Sequence, residues 1–521
     1  MKGTTLGRAR IAAIAGLAAL TLGVGLGGSG RLTYHEAFVA QAAREMVRGG
    51  GLGLVPTIDG RPWLEKPPLS TWMAAGIGWA VGDVTEAAAR LPSALAAALM
   101  AVGIAVFAAR RFGADAGLLA GAVQATTGWT VLRGRLAEAD IVLACLIVWV
   151  MVAFDRVREP GSGRRWLWAF FALLGMTSLA KGLGFGAVLA GSAAVAVLLW
   201  DRDRATARRL VDPLGWLLAA VLALAWPVAV VVRHPEAWSL WTLHVSDRMA
   251  ARPEHFIGGP WWMYGPSVLG QVLPWTPLGL WGAWASFRRA RVTPGGGDRL
   301  LWAWALVPVL VLSAATVKNG HYAIYALPPW SVWTALALVR VGERLGRRGW
   351  SGDRVRRAAV AGFALLGLGC GVGHLALGPK YDRRGVEWGF YATLGGAVDG
   401  PGPVAFLYED WDRKPYPTPF GPVPHDWAVR LYYLDRPATW RQGADDLAAR
   451  PPTPGRFDVV ARDRDRPALL RLGSVEALAR GPRTRFDREF VLFRVTPRGA
   501  DGARSASNRR AAPIDGGERS L

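Results

Sequence analysis

Residues 139–155 read ADIVLACLIVWVMVAFD, an apolar run that is typical of a membrane-spanning helix. A helix that crosses the roughly 30 Å hydrocarbon core of a bilayer needs about 20 residues, and similar runs recur over the first three quarters of the chain. With 52% hydrophobic residues, the sequence is too apolar for an ordinary soluble domain. It therefore predicts a polytopic α-helical membrane protein with about eleven transmembrane helices. The predicted spans lie near residues 9–28, 88–109, 114–133, 139–155, 166–180, 183–200, 212–232, 263–286, 299–316, 322–340 and 357–377.

The charge distribution predicts the orientation of these spans. A net charge of +22 could indicate a nucleic-acid partner, but the arginines cluster in alternate loops. This is the positive-inside pattern of a membrane protein, so nucleic acid is excluded and the amino terminus is predicted to be cytoplasmic. With eleven spans, the chain after residue 377 lies outside the cell membrane. The arginine-rich loops include residues 156–165, 202–209, 288–299 and 340–357.

The hydropathy divides the chain into three parts. Residues 1–377 form the predicted transmembrane domain, with a long first external loop at 29–87. Residues 378–498 are predicted to form a small external α/β domain, and residues 499–521 a disordered tail. In the α/β part, short apolar runs alternate with helix-like stretches. The runs are PVAFLYE (403–409), RFDVVAR (456–462) and EFVLFRV (489–495), and the helix-like stretches include ADDLAAR (444–450) and SVEALAR (474–480).

Metal and disulfide chemistry receive little support from the sequence. The two cysteines, Cys145 and Cys370, both fall inside predicted spans, so neither a disulfide framework nor a cysteine-based metal site is expected. Glu65 with His244 or His255 could bind a divalent cation, but two ligands from separate loops are a weak signal. We therefore predict no metal site and no cofactor.

Ionisable residues at the external ends of the spans are the strongest functional signal. The positive-inside rule does not explain these cations, and an ionisable group at membrane depth is costly. Each one alone could reach the lipid headgroups. As a set they suit a lipid-linked phosphate, because cations neutralise the leaving phosphate and a carboxylate orients or deprotonates the nucleophile. The cations are Lys66, Arg90, Arg133, Arg135, Lys181 and Lys318, and the acids are Glu36, Glu65, Glu138 and Asp140.

Seven motifs in one order carry a family likeness. The chain resembles the bacterial membrane glycosyltransferases related to protein O-mannosyltransferases and the lipid A aminoarabinose transferase, of the C-type superfamily. The likeness covers most of residues 30–335. The motifs are HEAFVAQAAREM (35–46), LVPTIDGRPWLEKPPLSTW (54–72), ARLPSAL (89–95), GRLAEAD (134–140), SLAKG (178–182), PWWMYGPSVLGQVLPWTP (260–277) and KNGHYAIYALPPW (318–330).

The resemblance implies a fold, a location and an activity. The fold is the C-type glycosyltransferase architecture in a bacterial cytoplasmic membrane. The activity is transfer of a sugar, with inversion, from a polyprenyl-phosphate-linked donor to an external lipid, glycan or protein acceptor. Two alternatives stay open. One is a transporter or flippase of a lipid-linked substrate, and the other is a catalytically silent relative that acts as a binding protein.

The resemblance also assigns roles to residues near the acceptor. In this family the first loop presents an Asp-Glu pair, with the Asp at the reaction centre. Here His35 stands in the Asp position and Glu36 keeps the Glu, so either could be the base. Asp140 matches the second acidic position of the family, although it could instead form only an ion pair with Arg135 that secures two helices.

Further residues are assigned to the donor. Lys66 matches the lysine that binds the donor phosphate, and a second set of residues is predicted to contact the sugar. The remaining phosphate-binding candidates are Arg135, Lys181, Arg90 and Lys318, and the sugar-binding candidates are Glu65, His321 and Tyr322.

Overall fold

The computed structural model divides the chain into two compact units, Met1–Tyr381 and Asp382–Leu521. It describes residues 6–498 apart from 29, 243–258, 383–384, 399, 409–422 and 483–488. The predicted tail at 499–521 and the histidines His244 and His255 lie outside the described residues.

The first unit is helical almost throughout its described part, which confirms the helical class predicted from the apolar runs. Its first eleven helices are α1 (Arg8–Ala18, continued by a π-helical turn Ala19–Gly23), α2 (Tyr34–Arg48), α3 (Leu69–Val81), α4 (Glu86–Phe112), α5 (Ala114–Thr126), α6 (Gly128–Gly134), α7 (Ala139–Val157), α8 (Arg164–Lys181), α9 (Phe185–Asp201), α10 (Arg204–Arg209) and α11 (Pro213–Arg233). Later helices span Tyr264–Gln271, Thr276–Val292, Gly297–Ala314, Pro328–Arg347 and Gly352–Tyr381, with a 3-10 helix at Gly320–Ala326.

Several of these helices have the length and composition of membrane spans. Among the described residues, four helices are long and apolar enough to cross a membrane. A bent pair formed by Gly320–Ala326 and Pro328–Arg347 would make a fifth span. The helices are thus those of a membrane protein, while the count of about eleven spans stays a prediction. The four are Glu86–Phe112, Pro213–Arg233, Gly297–Ala314 and Gly352–Lys380.

Helix α7, which contains the apolar run 139–155, is buried along most of its length. It packs against α4 and α8, and a Cβ at Gly103 of α4 would lie 2.7 Å from the side chain of Val148. Small residues thus allow close helix contact. Because helices surround α7, it has no polar face, and its sequence reads as an unbroken apolar run.

Both ends of α7 carry a buried carboxylate. Near the end of the helix, Asp155 is fully buried and accepts bonds of 2.7 Å from Arg110 and 2.8 Å from Arg111, both on α4. Near its start, Asp140 is 7% exposed. An ionised carboxylate is tolerated in such a place only when it is paired.

The first loop is folded around helix α2. Thr33 and Glu36 form a capping box, in which the Glu36 amide donates to the Thr33 hydroxyl (3.2 Å) and the Thr33 amide donates to the Glu36 carboxylate (2.8 Å). A short hairpin, β1 (Thr57–Ile58) with β2 (Arg61–Pro62), follows. Its turn has positive φ at Asp59, and Glu45 accepts the Asp59 amide at 2.7 Å.

The second unit contains a five-stranded sheet in the order β4-β3-β5-β7-β6. Strand β3 runs parallel to β4 and β5, whereas β7 is antiparallel to β5 and β6. The strands are β3 (Val404–Leu407), β4 (Ala438–Arg441), β5 (Phe457–Arg462), β6 (Gly473–Arg480) and β7 (Phe490–Pro497), and the helices are Gly385–Leu394, Trp427–Leu434, Gly443–Ala449 and Arg466–Leu470.

One stretch of this unit differs from its prediction. ADDLAAR falls in the helix Gly443–Ala449, as expected, but SVEALAR is wrong as a helix because it forms strand β6. This strand pairs with β7 over its length, with Val475 opposite Val495. The external location of the unit stays a prediction.

Candidate functional site

Asp140 is the centre of a buried polar cluster at the start of α7. Lys181, the last residue of α8, forms an ion pair with its carboxylate, and the Tyr325 hydroxyl donates to Oδ1 at 2.6 Å. A helix N-terminus favours a carboxylate and a helix C-terminus favours a cation, so both residues stand where the helix dipoles stabilise them. Three separate elements therefore fix one carboxylate in place.

Additional charges surround this carboxylate. Arg133 Nη2 lies 3.7 Å from Asp140 Oδ2, and His321 Nε2 lies 3.9 Å from the same oxygen. Lys181 Nζ is 4.0 Å from the ring centroid of Tyr322, a cation-π distance. The cluster thus combines a negative centre, several cations and an aromatic face, which is a suitable lining for a polar sugar with a charged leaving group.

Glu138 is a second carboxylate beside this cluster. It pairs with Arg133, which thereby lies between the two acids. Its Oε1 atom is buried and has no hydrogen-bond partner among the described residues. The Ser93 hydroxyl is 3.3 Å from the Glu138 amide and positions this stretch of backbone against α4.

Glu36 belongs to a neighbouring buried network. Its Oε1 accepts bonds from Arg90 Nε at 2.8 Å and from the Ala137 amide at 3.2 Å, while Oε2 accepts the Thr33 amide. Arg90 also donates to the carbonyls of Leu26 and Gly30, each at 3.0 Å. Both Glu36 oxygens are therefore engaged, and they join α2, α4 and the turn that precedes α7.

His35 has a different environment from Glu36. Its side chain is exposed, and its ring centroid lies 4.1 Å from that of Tyr34. The two residues of the predicted pair therefore face apart, as expected for neighbours about 100° apart on a helix. His35 is the member of the pair that a molecule from solution can reach.

Arg135 is not the partner of Asp140. It is 6% exposed, and its Nη1 donates to the Leu22 carbonyl at 2.8 Å, on the π-helical turn after α1. Its Nη2 is buried without a hydrogen-bond partner among the described residues. The ion pairs of Asp140 are formed with Arg133 and Lys181, so the alternative of an Asp140 to Arg135 pair does not describe this structure.

The remaining predicted residues lie in loops. Lys66 is exposed and Glu65 beside it is half-buried, and neither forms an ion pair within the described part of the chain. Lys318 Nζ donates to the carbonyls of Ala315 (2.6 Å) and Gly259 (3.1 Å). The structure thus joins Asp140, Lys181, His321 and Tyr322 in one cluster, and it gives Lys66 and Lys318 separate surroundings.

Tyr325 is a site residue that the sequence analysis missed. Its side chain is fully buried, and it lies in the 3-10 helix Gly320–Ala326. Side chains three residues apart eclipse in such a helix, which explains why Tyr322 and Tyr325 contact the same cluster. The three-residue spacing of the two tyrosines in HYAIY is the sequence feature from which Tyr325 could have been predicted. Arg133 and Glu138 were recognised as ionisable groups but received no role.

The described residues contain no group of three or more His, Cys, Asp or Glu side chains that could hold a metal ion. The two histidines suggested as partners of Glu65 lie outside the described part, as stated above.

Comparison with known sequences extends these observations. Residues 65–232 match the family described as dolichyl-phosphate-mannose-protein mannosyltransferase. The chain is 30% identical over 351 residues to the undecaprenyl phosphate-alpha-4-amino-4-deoxy-L-arabinose arabinosyl transferase of Edwardsiella ictaluri, covering 65% of this chain and 60% of the relative. It is 30% identical over 330 residues to the Pseudomonas aeruginosa protein of that name, covering 60% and 57%. The chain thus spans about three fifths of the length of these curated relatives.

Solved structures share the fold. ArnT from Cupriavidus metallidurans, bound to undecaprenyl phosphate, superposes with a TM-score of 0.73 at 19% identity, covering 93% of this chain and 97% of that one. The mycobacterial arabinofuranosyltransferase AftD gives a TM-score of 0.54 at 14% identity, covering 96% and 41%.

The chain thus shares its fold with ArnT and AftD. The sequence matches confirm the predicted resemblance to the protein mannosyltransferases and the aminoarabinose transferases.

Proposed function

We propose that the protein is a membrane glycosyltransferase that moves a sugar from a polyprenyl-phosphate-linked donor to an acceptor outside the cytoplasmic membrane. The observation that carries the proposal is the buried Asp140 carboxylate, which Lys181 and the Tyr325 hydroxyl hold in one orientation. The names of the matched relatives suggest undecaprenyl phosphate as the lipid carrier.

The proposed reaction is a single displacement at the anomeric carbon. An acceptor oxygen forms a bond to that carbon while the bond from the carbon to the phosphate oxygen breaks. The acceptor proton passes to a carboxylate, and the departing phosphate keeps the bonding electrons. The step therefore needs a fixed base on one side of the sugar and fixed positive charge on the other.

The side chains can be divided between these two tasks. Asp140 stands near the acceptor, and exposed His35 is a second group that the acceptor can approach. Lys66 is the main candidate for the phosphate, because it is exposed and forms no ion pair with a described residue. Lys181 supports Asp140 directly. Glu36 and Arg90 neutralise each other, so we assign them to holding the first loop against the turn before α7.

A transfer assay tests the proposed activity. The protein is reconstituted in liposomes with an undecaprenyl-phosphate-linked aminopentose and a lipid extract as acceptor, and products are identified by mass spectrometry. We expect free undecaprenyl phosphate and a glycosylated acceptor. Movement of the intact donor across the bilayer without cleavage would instead identify a transporter. If the donor is neither cleaved nor moved, the protein is a silent binding protein.

The orientation is a separate part of the proposal, with the amino terminus cytoplasmic and the second unit external. Single cysteines at Asp59 and Thr453 are expected to react with a membrane-impermeant reagent in intact cells, because both residues lie in segments predicted to be external. A cysteine at Arg204 should react only after permeabilisation. Reaction at position 453 from the cytoplasmic side alone would contradict the predicted orientation.

A further inference from the structure

Lys66 lies in a loop, residues 63–68, that joins strand β2 to helix α3. Its exposed side chain makes no hydrogen bond or ion pair with a described residue. The position of the ammonium group therefore depends on the backbone of the loop. Pro67 and Pro68 follow directly, and proline restricts both its own φ and the conformation of the preceding residue.

Two indole groups from a distant part of the chain bond to the first loop, one within residues 63–68 and one before the β1-β2 hairpin. Trp241 Nε1 donates to the Leu64 carbonyl at 2.7 Å, and Trp226 Nε1 donates to the Leu54 carbonyl at 2.8 Å. Trp226 is in α11, and Trp241 follows in a short helical stretch. The two rings are tilted against each other, with their centroids 5.6 Å apart. Each tryptophan thus combines ring packing with one directed hydrogen bond.

The contact is buried where it meets the loop. The Leu64 side chain is 2% exposed and packs in a cluster with Trp226, Val230 and Ala237. The Trp63 ring, next to Leu64 in the chain, stacks on Phe38 with a centroid distance of 4.5 Å. The loop is therefore held at two successive residues, and the bond from Trp241 reaches the carbonyl two residues before Lys66.

We propose that Trp241, supported by Trp226, is a positioning residue that fixes the loop so that Lys66 can bind the donor phosphate. The inference rests on the proposed function, since it requires that Lys66 contacts the phosphate. Trp241 acts through the loop and does not itself contact the donor.

A double-mutant cycle on ligand binding tests this role. Trp241→Phe keeps an aromatic ring and removes the indole N–H. With Lys66 present, we expect the affinity for undecaprenyl phosphate to fall about three- to tenfold, the usual loss for one hydrogen bond. In the Lys66→Ala background, the same change should have almost no further effect, because the group that it positions is gone. Trp241→Phe should also lower kcat/KM for the donor, and this loss too should disappear in the Lys66→Ala background.

Trp216→Phe is the matched control. Trp216 is also in α11, and its Nε1 donates to the Leu210 carbonyl at 2.8 Å, far along the helix from the Lys66 loop. This variant should bind undecaprenyl phosphate as the wild type does. If Trp241→Phe does not fold, Trp226→Phe tests the same idea through the second indole, with a smaller loss expected.

Each outcome has a definite meaning. If Lys66→Ala weakens binding and Trp241→Phe weakens it equally in both backgrounds, or in neither, the positioning role is wrong while the phosphate role of Lys66 stands. If Lys66→Ala itself binds undecaprenyl phosphate normally, the phosphate role is wrong, and the positioning role fails with it.

Discussion

Replacing Asp140 by Asn is expected to lower the rate of transfer by about a hundred- to ten-thousandfold, the range for loss of a general acid-base group. Asparagine has nearly the same size and can still accept the Tyr325 hydrogen bond. It loses the negative charge that pairs with Lys181 and that orients or deprotonates the acceptor. The measurement is kcat in the reconstituted transfer assay, with the unfolding temperature recorded to show that the variant is folded.

Asp155→Asn is the matched control for this experiment. Asp155 is also a buried carboxylate of α7, paired with Arg110 and Arg111 at the other end of the helix. Its loss should lower the unfolding temperature because two arginines lose their partner. The turnover of each folded molecule should be preserved. Wild-type turnover in Asp140→Asn would remove Asp140 from the mechanism.

Replacing Lys66 by Ala is expected to lower kcat/KM by about a hundred- to a thousandfold, the loss found when one donor to a developing negative charge is removed. The leaving phosphate would lose its fixed positive partner. Since Lys66 is exposed and bonded to no described residue, the unfolding temperature should not change. The effect should therefore be confined to catalysis and donor binding.

Arg61→Ala provides a control of the same charge in the same part of the chain. Arg61 is also exposed, and it belongs to the short hairpin that precedes the Lys66 loop. If general attraction between a basic surface and an anionic lipid were responsible, both variants would lose activity to a similar extent. A loss confined to Lys66→Ala supports a specific phosphate contact.

The fold class could be predicted because a helix that is buried among other helices and a helix that spans a membrane both have long apolar sequences. The run in α7 is apolar on every side, since other helices surround it, and this makes the helix easy to recognise. SVEALAR shows where such reasoning fails. Its residues are compatible with a helix, and only the pairing of Val475 with Val495 on β7 selects a strand.

The sequence also predicts most of the residues of the site, but it does not predict which of them form ion pairs or hydrogen bonds with each other. Asp140 and Lys181 were both singled out, yet they are 41 residues apart, and Tyr325 is 185 residues from Asp140. No local pattern specifies contacts over such distances. The choice between Arg133 and Arg135 depends on where α6 ends. Arg133 lies in its last turn and reaches Asp140, whereas Arg135 lies beyond it and turns toward α1.

The two carboxylates of α7 have a consequence for biogenesis. Asp155 pairs with arginines of α4, which is synthesised earlier. Asp140 pairs with Arg133 of α6, which is also synthesised earlier, and with Lys181 at the end of α8, which is synthesised later. An unpaired carboxylate in lipid is costly, so α7 has all its charge partners only once α8 has been synthesised. The ion pairs of α7 therefore join a helix that is synthesised before it, α4, to one that is synthesised after it, α8.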